Sequence, residues 1–280
     1  MQNRLNTRMG VGDLVKLAAF DVDGTLRDRD YLPDSTREAL FKLKETGVSL
    51  TLCTGRSEYE MKELREALGI DWAVTCNGSH IGYRGQTVFG NAFPAETIRE
   101  WLEEAEKRGH TFLLYGAEQM FINRQDDPYF RQAQQEIGFM EPLLIESAEQ
   151  VPAIYQCIVF CSETEESAYI GNEPDYYLHR WRTWALDINP GGMNKAVGLQ
   201  KLCEHLNIEA AEAAAFGDGL NDMEMIEAVG MGIAMGNAGD GLKQKARFVT
   251  KSLHEDGISY AVEKWIFAAG SAGSDPARRA

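Results

Sequence analysis

Short apolar runs alternate with helical patterns along most of this chain. Leu14 to Phe20 is an apolar run suited to a buried strand, and it stops at Asp21. A helix is expected from about Ser35, where Ser35 and Glu38 make a capping-box pattern, to Gly47, a left-handed cap. Val48 to Cys53 reads as a second buried strand. Ser57 and Glu60 repeat the capping-box pattern, Met61, Leu64 and Leu68 follow at helical spacing, and Gly69 closes that helix. Trp72 to Cys76 is a third short strand, ending in Asn77-Gly78. Strand, helix, strand, helix, strand at this pitch implies right-handed βαβ units and a parallel sheet.

The middle of the chain breaks that rhythm. Thr111 to Tyr115 and Met120 to Ile122 read as a hairpin around Gly116. Ile154 to Cys161 and Tyr176 to Ile188 read as two longer strands, and Ile98, Trp101, Leu102 and Ala105 mark an amphipathic helix. After Asn189 the α/β rhythm returns. Val197, Leu202 and Leu206 lie on a helix, Ala213 to Phe216 is a strand running into Gly217-Asp218-Gly219, and Met223 to Val229 is helical. Met231 to Met235 and Phe248 to Thr250 supply two more strands. The expectation is one α/β core built from 14–82 and 189–268, interrupted by a separate α+β unit over 83–188. Residues 1–13 and 269–280 read as flexible ends.

Composition narrows the class. With 280 residues, 44% apolar and 25% charged, the chain has enough material for two cores and none of the bias of fibrous or disordered proteins. The formal net charge is −15, from 28 Lys+Arg against 43 Asp+Glu. Nucleic acid and anionic membrane surfaces are therefore not expected partners. Most of the excess lies in 83–188, with 18 Asp+Glu against 8 Lys+Arg, which also argues against large polyanionic substrates. No run approaches the roughly 18 apolar residues needed to cross a bilayer. The five cysteines (Cys53, Cys76, Cys157, Cys161 and Cys203) include no Cys-x-x-Cys pair, and four lie in or beside apolar runs. Buried reduced thiols in a cytoplasmic protein are expected.

In an open parallel sheet, chemistry collects at the carboxyl ends of the strands. Four such places carry polar residues. Asp21-Val22-Asp23-Gly24-Thr25 sets two carboxylates close together, which is unfavourable unless a cation or shared proton offsets it; a turn cluster is the bland reading. Thr54-Gly55-Arg56 offers a hydroxyl and backbone N–H groups to an anion, or simply caps a helix. Lys195 follows Pro190-Gly191-Gly192 and by itself reads as a solvated charge. Gly217-Asp218-Gly219-Leu220-Asn221-Asp222 gathers three oxygen-bearing side chains on a Gly-rich turn, which suits a hard cation such as Mg2+ or an Asx-turn with a helix cap.

Taken in order, these four segments resemble the signature motifs of the haloacid dehalogenase superfamily, and of its Cof-type subgroup in particular. Asn77-Gly78-Ser79, Leu186-Asp187-Ile188-Asn189-Pro190 and Gly230 to Ala238 resemble that subgroup too, so the likeness covers about residues 14–268. The resemblance implies a Rossmann-like parallel-sheet α/β core with an inserted α+β cap. It implies a Mg2+-dependent phosphohydrolase that cleaves small phosphomonoesters, such as sugar phosphates or related metabolites, through an aspartyl-phosphate. Asp21 is then the nucleophile, and Asp23 the general acid and later base. Mg2+ is held by Asp21, the backbone carbonyl of Asp23 and Asp218, with Asp222 close by. Thr54, Gly55, Lys195 and Asn221 bind the phosphate.

Two other readings share these motifs: a phosphomutase, and a non-enzymatic phosphate-sensing or partner-binding module. The expected partner is a small phosphomonoester, and the expected assembly a monomer or small homo-oligomer. In the cap, aromatic Tyr176, Tyr177, Trp181 and Trp184 pack the sheet. A sharper expectation places Arg180 or Arg182 against the substrate.

Overall fold

The computed structural model describes residues 15–145, 149, 151–171 and 176–267. The flexible ends expected at 1–13 and 269–280 lie outside the described residues, as does Leu14. The chain divides into two units. One is drawn from both ends, up to Leu50 and from Cys203 onward; the other is Thr51–Leu202.

At the head of the chain, β1 (Leu17–Phe20) is buried throughout and leads to α1 (Asp34–Glu45) and β2 (Ser49–Cys53). Helix α1 turns Thr36, Ala39, Leu40 and Leu43 inward, a helical stripe. Its start corrects the sequence reading. Pro33, not Ser35, is the N-cap, and no capping-box bond forms. The Ser35 hydroxyl donates instead to Asp256 Oδ1 at 2.5 Å.

The middle of the chain runs α2 (Glu58–Ala67), β3 (Trp72–Thr75), β4 (His80–Tyr83), β5 (Gln86–Gly90), α3 (Ala95–Arg108), β6 (Thr111–Tyr115) and β7 (Met120–Ile122). There follow α4 (Pro128–Ile137), β8 (Leu143–Leu144), β9 (Gln156–Phe160), α5 (Ser167–Ile170), β10 (Tyr177–Arg182), β11 (Ala185–Asn189) and α6 (Lys195–Leu206). The Ser57–Glu60 capping box forms as expected, with Glu60 N–H on Ser57 Oγ at 3.3 Å and Ser57 N–H on Glu60 Oε2 at 3.0 Å. Strands β2 and β3 are parallel, and β3, β4 and β5 continue antiparallel. The β4–β5 hairpin was not foreseen from the sequence. Its turn is Arg84-Gly85, both at positive φ, and β5 is too exposed to show an apolar rhythm.

A second sheet has the order β10-β11-β9-β6-β7-β8. Alternate residues serve two cores. Phe112, Leu114, Cys157 and Val159 pack with Ile98, Trp101 and Ala105 of α3, while Leu113, Tyr115, Ile158 and Phe160 pack with Phe130 and Ala133 of α4. Period-2 alternation thus sorts side chains between two buried faces here, not between core and water. The single strand expected over Tyr176 to Ile188 is in fact two, β10 and β11. They pair antiparallel around Thr183-Trp184, with a register shift between Arg180 and Arg182. That turn carries no Gly, Pro or Asn, so nothing local announced it. Three of the four aromatics, Tyr176, Trp181 and Trp184, do pack the sheet. Tyr176 joins the α3 side, Trp181 and Trp184 the α4 side, and Tyr129 stacks on Trp184 at 5.1 Å.

Beyond α6, the first unit resumes with β12 (Ala213–Gly217), α7 (Met223–Ala228), β13 (Met231–Ala234), α8 (Asp240–Lys245), β14 (Phe248–Val249) and α9 (Gly257–Ala261). Strands β1, β12, β13 and β14 pair parallel in the order β14-β13-β12-β1, and α7 and α8 supply the crossovers that parallel neighbours need between β12, β13 and β14. The contact between β1 and β12 is lined by alanines, Ala18 and Ala19 against Ala214 and Ala215, and closes on Phe20 stacked on Phe216 at 4.8 Å. All five cysteines are free and buried. No helix among the described residues is long and apolar enough to cross a membrane.

Candidate functional site

The register of β1 on β12 decides where the first carboxylates meet. Phe20 lies beside Phe216, and the Asp21 N–H continues the ladder to the Phe216 carbonyl at 2.9 Å. Asp21 and Asp218 therefore leave the same ends of neighbouring parallel strands. Asp222 comes back from the short turn Leu220–Asp222. Asp21, Asp218 and Asp222 each offer a carboxylate oxygen, all within 4.8 Å of one another. Asp21 and Asp222 are buried and Asp218 is half-buried.

Asp218 and Asp222 are held in place by hydrogen bonds. Asp222 Oδ2 accepts the N–H groups of Asp218 at 3.0 Å and Gly219 at 2.9 Å. Asp218 Oδ1 accepts the Thr25 hydroxyl at 2.7 Å, and its Oδ2 accepts Asn237 Nδ2 at 3.2 Å. Asn237 Nδ2 also donates to the Gly24 carbonyl at 2.9 Å, and its Oδ1 accepts the Leu253 N–H at 3.0 Å. Gly24 has φ +86°, and a Cβ there would stand 2.2 Å from Asp218 Oδ2, so only glycine fits against this carboxylate. Three carboxylates so close repel one another in the absence of a cation. A set of hard oxygen donors fits a divalent cation of the Mg2+ type.

Asp23 is placed differently. It is exposed, its carboxylate is not one of the three, and Oδ1 lies 3.8 Å from Arg27 Nε. Asn221 lies half-buried on the turn that carries Asp222.

The second unit carries Thr54, Gly55 and Lys195. The loop after β2 is pinned peptide by peptide. Thr54 N–H donates to Val74 O at 2.9 Å, and the carbonyls of Thr54 and Arg56 accept from Asn77 and Cys76 at 3.0 and 2.9 Å. Arg56 N–H donates to Thr54 Oγ1 at 3.1 Å. Arg56 itself is buried, with Nη1 on Glu60 Oε1 at 3.3 Å and Nη2 on the Ile137 carbonyl at 2.7 Å. Lys195 opens α6 and is only 1% exposed, so the solvated-charge reading does not hold. A buried ammonium demands anionic company. The start of α6 is drawn in by Cys53 Sγ donating to the Lys195 carbonyl at 3.8 Å, and by glycine contact: a Cβ on Gly198 would stand 2.5 Å from Gly78 Cα.

Arg180 and Arg182 are committed elsewhere. Arg180 Nη2 pairs with Glu166 Oε2 at 2.5 Å and its Nη1 donates to Cys161 O at 3.2 Å; Arg182 Nη2 pairs with Glu136 at 3.1 Å. Thr25, Asn237, Gln156 and Asp187 carry contacts that the sequence alone does not predict. Thr25, Asp187 and Asn237 do sit inside the quoted motifs, which was the available signal; Gln156 does not. Asp187 is buried, accepts Trp181 Nε1–H at 2.7 Å, and is pushed up to about 7 by burial, against the pull of Trp181 and Asn77 and with the push of Glu60.

The family model for haloacid dehalogenase-like hydrolases matches residues 18–262. YkrA of Bacillus subtilis (strain 168) is 36% identical over 250 residues, covering 89% of this chain and 97% of that protein. HMP-PP phosphatase of Yersinia pestis (strain Pestoides F) is 32% identical over 268 residues, covering 90% and 96%. Among solved structures, the HAD subclass IIB sugar phosphatase BT4131 superposes with a TM-score of 0.77 at 27% identity, covering 89% of this chain and 98% of that one.

Proposed function

Because this chain belongs to the haloacid dehalogenase-like hydrolases, an α/β fold with a cap whose members here are phosphatases of small phosphate esters, we propose a specific chemistry for it: Mg2+-dependent hydrolysis of sugar phosphates or related metabolites through an aspartyl-phosphate. The observation that carries this reading is the carboxylate trio Asp21, Asp218 and Asp222, two of them buried and Asp218 half-buried. In it, Asp21 attacks phosphorus, and the bond from phosphorus to the ester oxygen breaks. Asp23, the exposed carboxyl two residues on, gives its proton to the leaving alcohol. It then takes a proton from the water that attacks the phosphoryl group, freeing Asp21 and inorganic phosphate.

Asp21, Asp218 and the Asp23 carbonyl would hold Mg2+, with Asp222 alongside. A cation there supplies the positive charge that lets a carboxylate approach a phosphate dianion. The Thr54 hydroxyl, the Gly55 N–H and Asn221 would bind phosphoryl oxygens, and the buried Lys195 would neutralise charge on nucleophile and phosphate. In support, the Gly55 N–H has no hydrogen-bond partner among the described residues, while the peptide groups around it are paired. The domain reading is part of the proposal: core 14–82 and 189–268, cap 83–188. Five buried thiols favour a cytoplasmic setting.

The test is turnover of p-nitrophenyl phosphate and a panel of hexose phosphates, with Mg2+ or with chelator. Asp21→Asn and chelation are each expected to abolish release of inorganic phosphate. Retained turnover in Asp21→Asn overturns the proposal, and an isomerised sugar phosphate in place of free phosphate redirects it to a mutase.

A further inference from the structure

We propose that Gln156 is a positioning residue that orients the Thr54 hydroxyl toward the phosphoryl group. Nothing about the residue in sequence points to this; the hydrogen bonds do. Gln156 opens β9 and is buried to 1% exposure. Its Nε2 donates to the Gly55 carbonyl at 3.0 Å, across 101 residues of chain. Its Oε1 accepts from Asn77 Nδ2 at 3.0 Å and from Asn189 Nδ2 at 3.2 Å. Asn189 Nδ2 also donates to Cys76 O at 2.8 Å, and Asn77 Nδ2 lies 3.3 Å from Asn189 Oδ1. Gln156 is thus fixed by two amides that are themselves fixed, and it spends its donor on one carbonyl.

That carbonyl belongs to the Gly55–Arg56 peptide. The N–H at the other side of the same rigid plane is the one that donates to Thr54 Oγ1. With Gln156 holding the C=O, the plane cannot rotate, and the Arg56 N–H keeps occupying a lone pair of Thr54 Oγ1. A hydroxyl that accepts there must aim its own proton away from that N–H. The Thr54 proton is then available to an anion, and no reorganisation is needed when the anion arrives. Without Gln156 the plane gains freedom, and Thr54 Oγ1 can turn to donate to a backbone carbonyl in place of the phosphate.

The inference rests on the proposed phosphate-binding role of Thr54, and a double-mutant cycle separates the two. Steady-state hydrolysis of p-nitrophenyl phosphate is measured for the full chain, for Thr54→Val, for Gln156→Met, and for the pair. Gln156→Met keeps the length and removes both hydrogen-bonding ends. Its expected effect is a fall in kcat of about 10- to 100-fold, the range seen when a supporting residue behind a functional group is lost, with KM moving less than about threefold. In the Thr54→Val background the same change is expected to cost less than about threefold. Gln156→Asn, which keeps a carboxamide for Asn77 and Asn189 but draws the donor back from Gly55 by one methylene, serves if Gln156→Met does not fold, and the same coupling is expected. An equal loss in both backgrounds, or no loss from either Gln156 variant, overturns the inference. No loss from Thr54→Val overturns the role of Thr54 itself, and with it the premise.

Discussion

Asp187 offers a test in which burial, the largest influence on the group, sets the sign. Its carboxyl is pushed from 3.8 to about 7, first by desolvation and then by Glu60, while the Trp181 and Asn77 donors pull the other way. In the unfolded chain the group ionises near its ordinary value. Between about pH 4 and pH 7 the folded protein therefore binds a proton that the unfolded chain has released. Stability contributed by this proton is fully present below pH 4, and it is lost as pH rises through about 7. At about 1.4 kcal/mol per tenfold change in proton affinity, the ceiling on the loss is about 4 kcal/mol well above pH 7.

Asp187→Asn removes the titration and keeps an oxygen for the Trp181 N–H. Losing the acceptor for Asn77 adds an offset, but one that does not vary with pH. The readout is the melting temperature of variant minus wild type, followed from pH 5 to pH 8.5 by circular dichroism. The difference is expected to move in favour of the variant as pH rises, by several degrees, since about 1 kcal/mol is worth about 2–4 °C in a chain of this size. A difference that stays flat across this range, or that moves against the variant, would refute the reasoning that desolvation outweighs the Trp181 and Asn77 donors at Asp187.

Two further outcomes follow from contacts in the two units. Thr25→Val takes away the 2.7 Å bond to Asp218 Oδ1 at nearly constant volume; Mg2+ affinity, measured as the activation midpoint, is expected to weaken about 10- to 100-fold with the fold intact. Arg180→Ala breaks the pair with Glu166 and the bond to Cys161 O; it is expected to cost about 1–2 kcal/mol in chemical denaturation and to leave the ranking of hexose phosphate substrates unchanged. A changed ranking would return Arg180 to the substrate side.

What the chain determined by itself is mostly local. Buried strands such as Leu17–Phe20, Ser49–Cys53 and Ala213–Gly217 announce themselves as short apolar runs, because both faces of a covered parallel sheet exclude water. Asp21, Thr54 and Asp218 stand out in the sequence as candidates because each follows such a run directly, and strand ends are where a parallel sheet gathers its chemistry. The Ser57–Glu60 box worked for the same reason: its bonds span three residues.

Tertiary structure decided the rest wherever partners are far apart in sequence. The Ser35 hydroxyl had a local role on paper, but Asp256, 221 residues away, claimed it. The Thr183-Trp184 turn became visible only once β10 and β11 were paired, since alternation looks the same in one long strand as in two folded back. Thr25 meets Asp218 across 193 residues and Gln156 meets Gly55 across 101. A hydrogen bond of that span leaves no periodicity in the chain. Its geometry follows from packed sheets and registers, and the residue types at its two ends are compatible with many other partners. The charged groups behave likewise. Taken singly, Lys195 and Asp187 are ordinary letters in sequence, and it is burial, a property of the folded molecule, that turns one into a cation demanding anions and the other into a carboxyl that titrates near neutrality.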